Sequence, residues 1–309
     1  LCYEKLGQHG EMAKVFSEYA KQFPGDRYKQ VEALVKAGDA YYEMKKYEDA
    51  KQNYQLATTV YDKFSTTSDI DLGNIARAYY KLGDVEYQDF LGISLKTGNE
   101  RSVKTKTKEK TKALEEAAKM YAKAIEIGVE EWTIRATFKI GMGFVDMADA
   151  IQDQKLFGNQ DERVAAKIKI LSSLEKYYIK AQDYFYKNIE WAYNQNIRND
   201  YVKRSEQKFM EMAYKRGWVL EEVGRTFKNA PIPRGLSPEE KQAYVELLEE
   251  KLLEAMDAAL PKYEEAIQAA AKLGIVNSPW IDKIKERIRE INPASEALNI
   301  TLAKRTPKT

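Results

Sequence analysis

Residues 37–64 read AGDAYYEMKKYEDAKQNYQLATTVYDKF, and their spacing decides the fold class. Gly38 is followed by Tyr41, Ala50, Tyr54 and Ala57, in steps of 3, 9, 4 and 3. Steps of three and four keep residues on one helix face. Small residues at Gly38 and Ala50 permit a close approach of two helices, because a larger side chain there would force the backbones apart. Tyr41 and Tyr54 fill the space beside them, and Ala57 lets a following pair pack close. The turn is predicted at Lys45-Lys46-Tyr47. Outside this stretch, the chain of 309 residues has eight prolines but none between Pro24 and Pro231. A proline costs a helix interior roughly 3 kcal/mol, so a long proline-free span rich in Ala, Glu, Lys, Leu and Gln reads as consecutive helices. No Asn-Gly or Asp-Gly turn separates alternating β-branched runs, so the chain is all-α.

The 37–64 spacing resembles the tetratricopeptide repeat closely. The resemblance implies a right-handed α-solenoid of antiparallel helix hairpins, a superhelix with a concave face lined by the first helix of each pair. A preceding, weaker copy places Tyr3, Gly7, Phe16 and Pro24 in the same register, with Met12 and Tyr19 where small residues are usual. Its first helix is already half over at Leu1 and no initiator Met is present, which leads to the expectation of a fragment of a longer protein. A third copy carries Ala76, Tyr79 and Gly83, then Ala117, Tyr121 and Ala124. Between its halves lie about 29 residues more than a repeat allows. They are read as an insertion around 91–111, shared by both helices as a projection of about 20 Å with a polar tip.

Beyond Gly128 the pattern fades, but a local motif recurs. Tyr121–Ile125, Phe185–Ile189 and Tyr263–Ile267 each precede a Gly or Asn, then Val129, Ile197 or Ile275, then Trp132, Tyr201 or Trp280. Each is read as a helix ending at a C-terminal cap, a short turn and an aromatic that starts the next helix. Long helices are predicted over 161–196 and 238–272. Ser237-Pro238-Glu239-Glu240 and Ser278-Pro279 are start signals, and Asn292-Pro293 ends the last helix. The stiff joint 229–235 separates two of the helices. The organisation expected is 1–128 as repeats with the insertion, 129–293 as divergent long-helix repeats, and 294–309 as a frayed tail.

Little catalytic chemistry is on offer. Cys2 and His9 are the sole cysteine and histidine, which excludes an internal disulfide and a multi-cysteine metal site. The pair is read as a packing thiol and a surface imidazole. No phosphate-binding loop occurs, and Gly141-Met-Gly143 is read as close helix packing. Asp69-Ile-Asp71 lacks the remaining calcium ligands and is read as a helix N-cap region. Adjacent carboxylates such as Glu221-Glu222 point about 100° apart on a helix and read as solvated faces. With 50 Lys+Arg against 48 Asp+Glu, the net charge of +2 excludes a bulk nucleic-acid binder. No uninterrupted apolar run is long enough for a membrane helix.

The function expected is therefore non-enzymatic, with no cofactor and no small-molecule substrate. It is an interaction scaffold binding a peptide or partner protein on the concave face. Carried over from the family by position, that face comprises Asp39, Tyr42 and Glu43 from one pair and Arg77, Tyr80 and Lys81 from the next. Some family members clamp a C-terminal carboxylate here with Lys, Asn and Arg. Asp39 and Glu43 depart from that pattern and suit a peptide with basic and apolar groups instead. The alternative is an adaptor to an anionic surface or nucleic acid through the basic run 101–112, with Arg101 and five lysines against Glu109. The joint Gln22-Phe23-Pro24-Gly25-Asp26 is similar to that of bacterial envelope repeat proteins, which favours a bacterial envelope over the cytoplasm.

Overall fold

A computed structural model describes residues 7–64 and 70–305; Cys2, Tyr3 and Asp69 lie outside the described residues. The chain runs as α1 (His9–Gln22), α2 (Arg27–Glu43), α3 (Tyr47–Phe64), α4 (Leu72–Gly92), α5 (Glu100–Glu126), α6 (Glu130–Gln152), α7 (Gln160–Asn194), α8 (Asp200–Lys228), α9 (Pro238–Leu273) and α10 (Pro279–Ile291), then a 3-10 turn at Glu296–Asn299. No strand occurs among the described residues, and none of their helices is long and apolar enough to cross a membrane. Two compact units divide the chain, the described residues of 1–93 with 108–140 and those of 94–107 with 141–309. Within each unit consecutive helices pack on one another, the architecture of an all-α helical repeat.

Local sequence sets the helix ends. Asp26, Asp71, Asn159, Asn199, Ser237 and Ser278 are N-caps whose side chains accept backbone N–H groups. Asn159 with Glu162 and Ser237 with Glu240 close full capping boxes. The three recurring turns behave as their sequence implies. Gly128, Asn196 and Gly274 take φ values of 80°, 57° and 69°, and the N–H groups of Ile197 and Ile275 return to the carbonyls of Ala192 and Ala270 at 2.8 and 2.9 Å. Trp132, Tyr201 and Trp280 then sit in the first turn of the next helix. Lys45, at φ 58°, makes the left-handed turn between α2 and α3.

Close helix crossings repeat through both units. A Cβ placed on Gly38 would lie 2.5 Å from the Tyr54 ring, and one on Gly83 would lie 2.6 Å from Tyr121. In the second unit Gly141 meets Phe185 at 2.7 Å and Gly217 meets Tyr263 at 2.5 Å by the same construction. All four rings are fully buried. The first helix of each pair thus has a groove at its glycine, and an aromatic of the second helix fills it. Ala50 and Ala57 are buried beside Tyr54 as the spacing requires. Tyr41 packs with Phe16 and Met44 against Met12, Ala13 and Ala40, joining α1 to α2.

Three expectations change. The insertion is not shared evenly: α4 ends at Gly92 after 21 residues, whereas α5 runs for 27. Nor is the whole basic run solvated. It forms the opening turns of α5 with Arg101, Lys104, Lys108 and Lys112 exposed, but Lys110 is buried with its ammonium donating to the carbonyls of Phe90 and Ile93 at 2.6 and 3.1 Å. A cation on the open carbonyls of α4's last turn satisfies acceptors that have no partner within the helix. The tail is also not frayed over its described part. Ser295 donates to Glu264 at 2.5 Å, and Arg305 pairs with Glu190 at 2.8 Å. Those partners sit on α9 and α7, too far away in sequence for a local reading to find.

Candidate functional site

The six positions expected on the first-helix face lie on α2 and α4, but they do not form one open surface. Asp39 accepts the Tyr54 hydroxyl at 2.7 Å and pairs with Arg77 of α4. Burial raises its carboxyl above the ordinary range more than Arg77 lowers it. Tyr80 is buried, with its ring 5.5 Å from Tyr121 and 5.2 Å from Trp132. Its place in the core corrects the expectation that it faces a ligand, because Trp132 of the following pair covers it. Tyr42 is half-buried, 4.5 Å below the Lys81 ammonium, and its oxygen accepts from Gln88 at 3.5 Å. Glu43 is exposed. The surface left is Tyr42, Glu43, Lys81 and the outer edge of Arg77.

Asp39 belongs to a pattern that the spacing alone did not reveal. Asp84, the residue after Gly83, accepts the Tyr121 hydroxyl at 2.7 Å and pairs with Lys139 of α6 at 3.1 Å. In the second unit Glu221, one turn beyond Gly217, accepts the Tyr263 hydroxyl at 2.7 Å and the Nε and Nη2 groups of Arg287 at 3.1 and 2.7 Å. Each network joins a first-helix carboxylate, the tyrosine of its own second helix and a cation from the next first helix. These charges are spent on joining pairs. The pair that crosses at Gly141 has Phe185, which has no hydroxyl, and Met142 stands where Asp39 and Asp84 follow their glycines.

Burial next to carboxylates also sets the tyrosine ionisation. Tyr42 is pushed up to about 12 by burial and then by the Asp84 charge, and Tyr79 to about 12 by burial and then by Asp62. Tyr54, Tyr121 and Tyr263 are raised further for the same reasons. The folded state therefore holds phenolic protons that the unfolded chain releases near pH 10. This contribution to stability is complete below pH 10 and is lost as the pH rises through about 12. A spectrophotometric titration should show fewer tyrosinates at pH 11 in the folded chain than in urea; equal ionisation would contradict these environments.

In the second unit the same helix face opens a groove. A cavity of about 400 Å³ lies between α6, α8 and α10, walled by Asp149, Tyr214, Lys215, Trp218, Trp280 and Lys283 among others. A second of about 290 Å³ shares Gln152, Asp153 and Trp218 with it and extends to Leu156, Ile170 and Leu171. Trp218 directly follows Gly217, the register that Asp39 and Asp84 occupy after their glycines. Extending the 37–64 register as far as Gly217 would have found it; the weak pattern beyond Gly128 concealed the alignment.

Residues 32–63 match the family model described as tetratricopeptide repeat, which covers most of α2 and all but the last residue of α3. The match supports a tetratricopeptide-repeat protein, a class that generally mediates protein–protein contacts and is typically non-enzymatic. A solved structure from work titled "Computational Design of Self-Assembling Cyclic Protein Homooligomers" is similar at 16% identity and a TM-score of 0.37, over 95% of this chain and 97% of that one. No curated protein matches the chain.

Proposed function

We propose that the chain is a non-enzymatic scaffold that takes a peptide or partner protein on the face formed by the first helices of its pairs. One observation carries this reading: the crossing glycines, tyrosines and carboxylates are consumed in joining helices, whereas one turn further along Glu43 is exposed and Tyr42 beside it is only half-buried. The family match at 32–63 supports the same reading. Placement in a bacterial envelope is part of the proposal and rests on the joint at Gln22–Asp26.

The test is a photo-crosslinking side chain placed at Glu43, on the first helix, or at Leu56, which is 54% exposed on the second. A partner should crosslink from position 43 and not from 56. Equal yields, or yield from 56 alone, would remove the proposal. A second reading draws on Arg101, Lys104, Lys108 and Lys112, which are exposed along one stripe of α5. Binding to an anionic polymer through that stripe would weaken steeply with salt, unlike peptide docking on an apolar face.

A further inference from the structure

We infer that the paired cavities of the second unit hold an extended peptide with two apolar side chains, one of them aromatic, beside a carboxylate that pairs with Lys283. The inference rests on the first-helix docking reading and assigns it a second, distinct position. Trp218 lines both cavities, so the two are adjoining compartments of one groove. Their volumes of about 400 and 290 Å³ lie near or just below the lower end of the ~300–1,000 Å³ typical of ligand sites, a size for single side chains. In an extended strand, residues two apart lie on the same side about 7 Å from each other, which suits two neighbouring compartments. The first compartment has an aromatic wall, with the Tyr214 and Trp280 rings 5.1 Å apart. The second ends on Leu156, Ile170 and Leu171. A flat aromatic group suits the first and an aliphatic one the second.

The charge inventory sets the remaining feature. Asp149 pairs with Lys215 at 3.1 Å, Asp153 with Lys96 at 2.9 Å and Glu222 with Lys167 at 2.9 Å. Lys283 makes no ion pair among the described residues, and its ammonium lies 4.3 Å from the Trp280 ring. The groove thus presents one uncompensated cation at its aromatic end. An acidic residue next to the aromatic anchor completes it, whereas a basic one would meet Lys283 with every groove carboxylate already engaged.

A phage library of random octapeptides selected on the full chain tests this, followed by anisotropy titrations with fluorescein-labelled winners. The expected winners carry apolar residues two apart with Asp or Glu beside the aromatic one. Trp218→Ala should weaken them about tenfold or more. Lys283→Glu, a surface change, should weaken them similarly and favour versions with Lys in place of the acid. Winners without the acidic-apolar pattern, or indifferent to both variants while circular dichroism stays unchanged, would overturn the assignment. Winners that depend on Tyr42 and Lys81 instead would overturn the second-unit groove while sparing first-helix docking. A selection yielding no winners also overturns it.

Discussion

Glu221→Ala should destabilise the second unit by about 3 kcal/mol, whereas Asp183→Ala should cost less than about 0.5 kcal/mol. The two differ in burial and in the number of partners: Asp183 pairs with Lys187 alone among the described residues. Glu221 is 1% exposed and is held by Tyr263, Arg287 and Arg225. Its removal leaves a buried hydroxyl and a guanidinium without their acceptor, which costs far more than losing an attraction in water. The expected value sits at the low end for buried pairs because Arg225 keeps Glu222 and Arg287 keeps Glu290. Asp183 and Lys187 are both more than half exposed, and solvent already satisfies each. Urea midpoints followed by circular dichroism separate the cases, and equal shifts would show that the network is ornamental.

The second large effect is expected at a glycine. Gly83→Ala should cost about 1–3 kcal/mol or more, since its methyl would meet the Tyr121 ring at 2.6 Å. That ring is enclosed and tied through its hydroxyl to Asp84, so it cannot swing aside without breaking a buried hydrogen bond. Gly92→Ala provides the contrast: it lies in the same helix with nothing within 4 Å of the added methyl, and should be neutral or gain about 0.5 kcal/mol. A Gly83→Ala protein as stable as Gly92→Ala would show that the helices do not depend on close approach.

The particular residues show what a sequence pattern can and cannot convey. Gly38, Ala50 and Tyr54 announce a crossing because helix periodicity places them there whatever else surrounds them. Ser237 and Gly274 announce helix ends for the same local reason. Tyr42 and Tyr80 look alike in sequence, each a tyrosine on the first helix of a pair. One stays half-open and the other is buried, because Trp132 arrives from the next pair to cover only Tyr80. Lys110 reads as one more charge in a basic run until the end of α4, nearly twenty residues earlier, supplies its acceptors. Pro261 lies inside α9, where a stop signal is overridden by packing on both sides of it. Where a third element decides the outcome, local spacing carries no trace of it.

The central claim is that one rule recurs in the helix pairs of both units: an aromatic fills the glycine groove, and its hydroxyl needs a carboxylate either next to the glycine or one turn beyond it. The Gly141 pair permits a direct test, because Phe185 and Met142 lack both polar groups. Lys215, two residues before Gly217 as Lys139 is two before Gly141, holds the cation's register and would have to share itself with Asp149. A double-mutant cycle of Phe185→Tyr and Met142→Asp, read by urea denaturation, should give each single change a cost of about 1–3 kcal/mol and a favourable coupling of at least about 1 kcal/mol when combined. Simply additive costs would contradict the rule.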